Sequence, residues 1–197
     1  PGEPGLVEGI VRSLDSGLLS ATTSNSEASS GADVIVVIVP MYVDESGVPD
    51  YSILESASRD IGTVLAPGQT VIYETTLPVG ATRSRLAPVL EESSDLTAGE
   101  DFHVVHSPER VFSGRIFKDL RSYPKIVGGL TPLCGQIAVS FYESVLNFDE
   151  RPDLAQPNGV WDLGSVEAAE FTKLAETTYR DVNIALANEF GDFAERL

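Results

Sequence analysis

The feature that most narrows what this chain can become is a set of four short, unbroken apolar runs, at residues 33–39, 70–74, 102–106 and 125–128. A strand with one wet face alternates apolar and polar side chains, so a run without alternation belongs to a strand covered on both faces, as in a parallel sheet between helix layers. Segments at 6–16, 51–64, 81–92 and 132–146 read as helices between the runs. Strand and helix therefore alternate, which predicts an open α/β parallel sheet with right-handed crossovers. In such sheets ligands bind in the crevice beyond the carboxyl ends of the strands.

Three loops at those ends carry the unusual residues. They are Pro40-Met41-Tyr42-Val43-Asp44, Thr75-Thr76-Leu77-Pro78-Val79-Gly80 and Ser107-Pro108-Glu109-Arg110-Val111-Phe112-Ser113-Gly114. All three should converge on one rim, although Pro and Gly also simply punctuate turns. Residues 147–162 are polar, contain Pro152 and Pro157, and read as a connecting loop. From 164 to 197 there is no proline, and Gly191 is the one interior glycine. A continuous helix there would run about 50 Å, at ~1.5 Å per residue. Ala175, Tyr179, Val182, Leu186 and Phe190 form one apolar stripe, with Phe171, Leu174 and Ala185 beside it. A helix apolar on several faces is expected to be covered by a further domain, a second subunit, or both.

Composition limits the partners. At 197 residues, 42% hydrophobic and 22% charged, the chain is long enough for a real core and falls in the soluble globular class. Thirty acidic residues against 13 basic ones give a formal charge of -17, a field that repels nucleic acid and anionic membrane surfaces. A single cysteine, Cys134, and two histidines, His103 and His106, leave no disulfide framework or Cys/His metal cluster and point to a reducing, cytoplasmic setting. No segment approaches the roughly eighteen uncharged apolar residues of a membrane span, and the first residues do not form a signal peptide. The chain opens on Pro1-Gly2-Glu3-Pro4-Gly5, loop-like and without Met, so it is expected to be a piece of a longer protein.

The loops and the long helix together resemble the UDP-glucose/GDP-mannose dehydrogenase family, most closely its UDP-N-acetylmannosamine dehydrogenase branch. The resemblance rests on Glu3-Pro4-Gly5-Leu6, on Ala32-Asp33 leading to Val39-Pro40, and on Thr75-Thr76-Leu77-Pro78-Val79-Gly80-Ala81-Thr82-Arg83. It continues through Ser107-Pro108-Glu109-Arg110-Val111, through Glu170-Phe171-Thr172-Lys173-Leu174-Ala175-Glu176, and on to Glu189. Each piece alone is weak; their order and spacing make the match. It implies a Rossmann-like sheet lacking its first βαβ unit over 1–146, a connecting loop over 147–162, and over 163–197 the central helix of a dimerisation domain. The implied activity is oxidation of the C6 alcohol of a UDP-hexose to a uronate with NAD, by two hydride transfers and an enzyme-bound thiohemiacetal, in polysaccharide biosynthesis.

Carried over residue by residue, the resemblance makes Thr76 a holder of the active-site water and Glu109 a carboxylate that assists proton transfer. A hydroxyl donates and accepts at once, and a carboxylate in a partly desolvated pocket is a workable proton carrier. Lys173 becomes the ammonium that stabilises a developing alkoxide; its bland alternative is an i to i+3 pair with Glu170 or Glu176. Thr177 stands four residues on, where the family usually has Asn. Val39, Pro40, Met41, Thr75 and Thr76 fall on the cofactor side. Arg110, Val111, Phe112 and Ser113, with Lys173, fall on the substrate side, with core packing the alternative for Phe112.

Two family features are absent: a Gly-x-Gly-x-x-Gly turn and the catalytic cysteine of a Gly-rich loop beyond the long helix. Cys134, at the start of a helix with no base nearby in sequence, reads as a buried or incidental thiol. The isolated chain is therefore expected not to oxidise UDP-hexoses. Two other readings stay open: a catalytically silent dimerisation or binding module, and a 6-phosphogluconate-type hydroxyacid dehydrogenase, against which the Ser107–Arg110 loop argues.

Overall fold

The computed structural model describes residues 2–197. Its central sheet takes strands from four regions read as apolar runs and one that was not: β1 (Val34–Val37), β4 (Thr70–Tyr73), β5 (His103–His106), β6 (Lys125–Gly129) and β7 (Val160–Asp162), side by side in that order. A small hairpin of β2 (Tyr42–Val43) and β3 (Pro49–Asp50) stands apart. Helices α1 (Leu6–Asp15), α2 (Asn25–Ser29), α3 (Ser52–Gly62), α4 (Ala87–Ser94), α5 (Ile116–Ser122), α6 (Pro132–Val145) and α7 (Val166–Glu195) complete the chain. A π-helical turn, Thr82–Leu86, leads into α4.

The apolar runs of β4, β5 and β6 have the expected cause, but β1, at the edge of the sheet, is not covered on both faces: Val36 is 40% exposed and Ile38, just beyond it, 71%. In β4 every residue is buried, and alternate side chains serve different cores. Val71 and Tyr73 pack with Leu54, Ile61, Leu86 and Leu90 of the α3 and α4 side, while Ile72 joins Val105, Val127, Ala138 and Tyr142 on the α6 side. Burial on both faces removes any reason for a polar residue between them. The Tyr73 hydroxyl meets Ser58 at 2.7 Å, which satisfies the one polar tip on that face.

The expected all-parallel sheet needs one correction. β4 runs parallel to β1 and to β5, but β6 runs antiparallel to β5, with His106 opposite Gly128. After β5 the chain turns through the 107–115 loop and α5 at the carboxyl rim and re-enters the sheet from that same rim. An apolar run does not encode strand direction, so the reversal was not legible. Its consequence is chemical: Lys125, the first residue of β6, lands at the rim where β4 and β5 end.

The stretch read as a connecting loop ends in β7, which pairs parallel with β6. The chain then turns at Gly164 into α7, capped by the Ser165 hydroxyl accepting from the Ala168 amide at 3.2 Å. Gly128 of β6 lets α7 sit close, since a Cβ there would overlap the Ser165 carbonyl. From this contact α7 climbs along β6 and β5 toward the carboxyl rim.

Candidate functional site at the carboxyl rim

Glu109 is the pivot of the site. It follows β5 at the carboxyl edge and, besides a cavity of about 160 Å³ that it shares with Pro108, Tyr123 and Lys125, forms part of the wall of two adjoining clefts. One, about 400 Å³, is lined by Ile38, Pro40, Glu74, Thr75, Thr76 and Glu109. The other, about 190 Å³, is lined by Glu109, Arg110, Val111, Phe112, Lys173, Glu176, Thr177 and Arg180. The Glu109 carboxylate accepts from the Val111 amide, so its own loop fixes it, yet its side chain remains 49% exposed. Lys173 is only 15% exposed; its Nζ donates to the Glu109 carbonyl and lies 3.9 Å from Oε2.

Lys173 arrives as part of a series at every third position of α7: Glu167, Glu170, Lys173 and Glu176. Each step of three turns back by about 60° around the helix, so neighbours in the series are adjacent while the series as a whole winds from one side of α7 to the other, and each member meets a different loop. Glu167 takes Arg83 at 2.5 Å. Glu170 accepts the backbone N–H groups of Gly80 at 2.6 Å and Thr82 at 2.8 Å. Lys173 reaches Glu109, and Glu176 receives a two-pronged guanidinium from Arg110 at 2.9 and 2.8 Å. The intrahelical alternative for Lys173 is thus not adopted, because each neighbouring glutamate is engaged by a different loop. Arg83 and Arg110 hold Glu167 and Glu176 below the ordinary carboxylate range, each chiefly through its hydrogen bonds. Glu170, fully buried, moves the opposite way: desolvation raises it against the pull of the Thr82 and Gly80 donors.

Beneath the rim lies a second polar group that the sequence reading missed. Glu74, last of its apolar run, accepts from Lys125 Nζ at 2.6 Å and from the Tyr142 hydroxyl, with the Lys125 ammonium 4.6 Å from the Tyr142 ring centre. Lys125 and Glu74 are only 10% and 18% exposed, so the pair is largely dry. Burial first, then the Glu74 charge, pushes Tyr142 up, which keeps the phenol protonated. His106 sits at the end of β5, fully buried with neither ring nitrogen hydrogen-bonded. Burial and the Lys125 charge lower its pKa to about 4, so it stays neutral. The available signal was a charged residue closing or opening a doubly buried run, at Glu74 and Lys125.

The structure gathers Thr76, Glu109 and Lys173 at one edge, as strand-end geometry predicts. Pro40, Thr75 and Thr76 line the first cleft; Val39 and Met41 do not, being half-buried against the core under β1. Arg110, Val111 and Phe112 line the second cleft, and Ser113 is exposed outside it. Phe112 is 49% exposed beneath the Arg115 guanidinium, so it is not a core residue. Thr177 lines the cleft, but its hydroxyl donates back to the Lys173 and Leu174 carbonyls at 2.8 and 3.1 Å. That leaves acceptor lone pairs toward the rim and no donor. Cys134 is buried near His103, at the amino end of β5 and away from Glu109.

Residues 2–146 match the NAD binding domain of the UDP-glucose/GDP-mannose dehydrogenase family. UDP-N-acetyl-D-mannosamine dehydrogenase of Pyrococcus horikoshii is 37% identical over 196 residues, 98% of this chain and 43% of that protein. The solved UDP-D-ManNAc dehydrogenase structure from Pyrococcus horikoshii superposes with a TM-score of 0.84 at 36% identity, over 95% of this chain and 42% of that one. A ternary complex of GDP-mannose dehydrogenase from Pseudomonas aeruginosa follows at a TM-score of 0.81 and 26% identity, over 96% of this chain and 42% of that one. The chain thus spans somewhat under half the length of these relatives. On sequence and fold together, it belongs to the UDP-glucose/GDP-mannose dehydrogenase family.

Proposed function

We propose that this chain supplies the NAD-side cleft and the proton-handling residues of a nucleotide-sugar 6-dehydrogenase, which oxidises the C6 alcohol of a UDP-hexose to the uronate. UDP-N-acetylmannosamine is the favoured substrate and UDP-glucose the next. The observation that carries this reading is Glu109 standing between two clefts with the Lys173 ammonium beside it. A sugar alcohol in the second cleft would give its proton toward the Glu109 carboxylate, while Lys173 Nζ stabilises the alkoxide that forms. Thr76 holds a water at the same carboxylate. Arg110, Val111 and Phe112 enclose the nucleotide sugar.

The first cleft suits one end of NAD. Ile38, 71% exposed, and Pro40 offer an apolar wall, Thr75 and Thr76 offer hydroxyls, and Glu74 and Glu109 close the far side. That set fits an uncharged or cationic ring and its ribose, and the carboxylates disfavour a pyrophosphate there. When bound, the cofactor supplies the acceptor for hydride.

Residues 1–146 act in this reading as the NAD-binding unit and 147–162 as its connector. The segment 163–197 is the central helix of a homodimer, with Tyr179, Val182, Leu186 and Phe190 as its apolar contact. The same exposed stripe is what a dimerisation module without catalysis would present. The isolated 197 residues are expected not to oxidise UDP-hexoses, since they hold no Gly-x-Gly-x-x-Gly turn and place Cys134 away from the rim.

NADH formation with UDP-N-acetylmannosamine and UDP-glucose tests the reading, using the chain within a longer protein that carries it. Glu109→Gln should lower kcat about 10²–10⁴-fold, the range of lost general acid–base help. Wild-type rates in the variant would sink the assignment of Glu109, and NADH formed by the isolated chain would sink the expectation that it is inactive alone.

A further inference from the structure

We propose that Glu170 is a positioning residue, which sets the Thr76 loop in register with Lys173 by receiving the backbone N–H groups of Gly80 and Thr82. The inference rests on the function proposed above for Thr76, Glu109 and Lys173. The geometry behind it does not.

Residues 75–80 leave β4 at the rim with Gly80 in a left-handed conformation, φ +88. The chain then winds directly into the π-helical turn Thr82–Leu86, with no side-chain cap of its own. The first amides of a helix lack partners within it and must find them elsewhere. Here they find them 90 and 88 residues away, with Oε2 of Glu170 accepting from Gly80 at 2.6 Å and Oε1 from Thr82 at 2.8 Å. A glutamate with no solvent exposure, and each oxygen on a different amide, is far from a solubilising charge on a helix.

Its place on α7 gives the contact its meaning. Glu170 is one turn before Lys173, so the helix that presents the ammonium also grips the loop that carries Thr76. The two oxygens are filled by donors, which defines the loop's position rather than merely attaching it. Arg83 and Glu167 hold the outer side of the same junction, but as a surface pair with side chains 47% and 32% exposed, which fixes position less tightly. The glutamine variant is informative because it keeps the volume while its –NH₂ group would face an N–H donor. One of the two amides then loses its acceptor.

Amide hydrogen exchange on the chain decides the latch, with Glu170→Gln, Glu170→Asp and, as control, Glu167→Gln. Glu170→Gln should speed exchange at Gly80 and Thr82 about tenfold or more, leaving β4 and β5 amides unchanged. Glu170→Asp, too short to span both amides, should do the same, and Glu167→Gln should not. Wild-type protection at these two amides should fall on acidification as Glu170 takes up its proton, and that dependence should vanish in the glutamine variant. Unchanged exchange, or an increase spread evenly over the sheet, would overturn the proposal. In a longer protein that turns over nucleotide sugar, Glu170→Gln should lower kcat about tenfold with KM within twofold. Faster exchange with unaltered kcat would remove the positioning role. If the wild-type protein oxidises no nucleotide sugar, the functional reading falls, and the exchange results alone then decide whether Glu170 sets the loop.

Discussion

The two halves of α7 continue one another without a break, yet they live in different surroundings. From Val166 to Thr177 the helix is pinned to the body: Val166, Ala169 and Glu170 are fully buried, and every third residue grips a loop. From Thr178 onward every residue is exposed, including Tyr179, Val182, Leu186 and Phe190. Both halves are one continuous helix, so the contrast lies in what each half touches. The first half uses charge, and each charge has an addressed partner at the rim. The second uses apolar area, which takes any complementary apolar surface and has none among the described residues.

The hardest blow to the first half should come from Gly128. A Cβ there would run into the Ser165 carbonyl and lie 3.0 Å from the Ala169 Cβ, so nothing can move aside except α7 itself. Gly128→Val is expected to lower stability by about 3 kcal/mol, the upper range of overpacking, with Lys173 displaced from Glu109. Urea denaturation reads the loss. A cost below about 1 kcal/mol would mean that the first half is not seated by this contact.

Acid should loosen the same half and spare the other. His106, at the end of β5 on which α7 rests, has its pKa lowered to about 4. The unfolded chain binds a proton near the ordinary value of about 6.5 and the folded one does not, so this contribution is complete above that value and is lost as pH falls toward 4. The loss should amount to about 2–3 kcal/mol, allowing for some solvent access, at roughly 1.4 kcal/mol per pKa unit. Glu167 and Glu176, depressed by their arginines, add a smaller loss that begins near the ordinary carboxylate range and grows below it. Glu170, raised by burial, partly offsets that loss, since its folded state welcomes the proton. Denaturation midpoints against pH should fall between 6.5 and 4 in the wild type, and His106→Leu should flatten that fall. An unchanged slope would mean that His106 is solvated.

A smaller effect separates addressed charge from incidental charge. Arg110 and Glu176 form two hydrogen bonds, but their side chains are 22% and 46% exposed. A double-mutant cycle with Arg110→Ala and Glu176→Ala should give a coupling of about 0.5–1 kcal/mol, as for a well-aligned surface pair. No measurable coupling would reduce the pair to decoration and leave Lys173 and Glu170 to hold the rim.

What the sequence disclosed follows the same division between pattern and address. The apolar runs revealed four strands; burial on both faces forces the continuous apolar string at Val71-Ile72-Tyr73 and at Val104-Val105, whereas in β1 a similar string leaves Val36 exposed at the sheet edge. The hairpin over Tyr42–Val43 and Pro49–Asp50 was hidden, because its turn is made by Asp44 accepting the Ser46 and Val48 amides rather than by any hydrophobic period. β7 was hidden for the same reason, being three residues inside a polar stretch. At the rim, the gathering of Thr76, Glu109 and Lys173 was legible through family motifs and strand-end geometry. Glu170 was not, because its partners are backbone amides that any residue could supply. In sequence it looks like a neighbour for Lys173.

The last contrast concerns the exposed half alone. Leu186 and Phe190 lie four residues apart on one face of α7, 49% and 66% exposed. They touch no core, so replacing both with glutamate should change the stability of the fold by no more than about 0.5 kcal/mol, the usual range for surface sites. If the stripe is the dimer contact proposed above, the same pair of changes should shift the sedimenting species at micromolar concentration from dimer to monomer. The two measurements must diverge: association lost, unfolding midpoint held. A midpoint that falls with association would mean that the second half is stabilised by its partner. A wild-type chain that sediments as a monomer, with α7 protected from exchange as far as Phe193, would show that the helix stands without one and that its apolar stripe has another use.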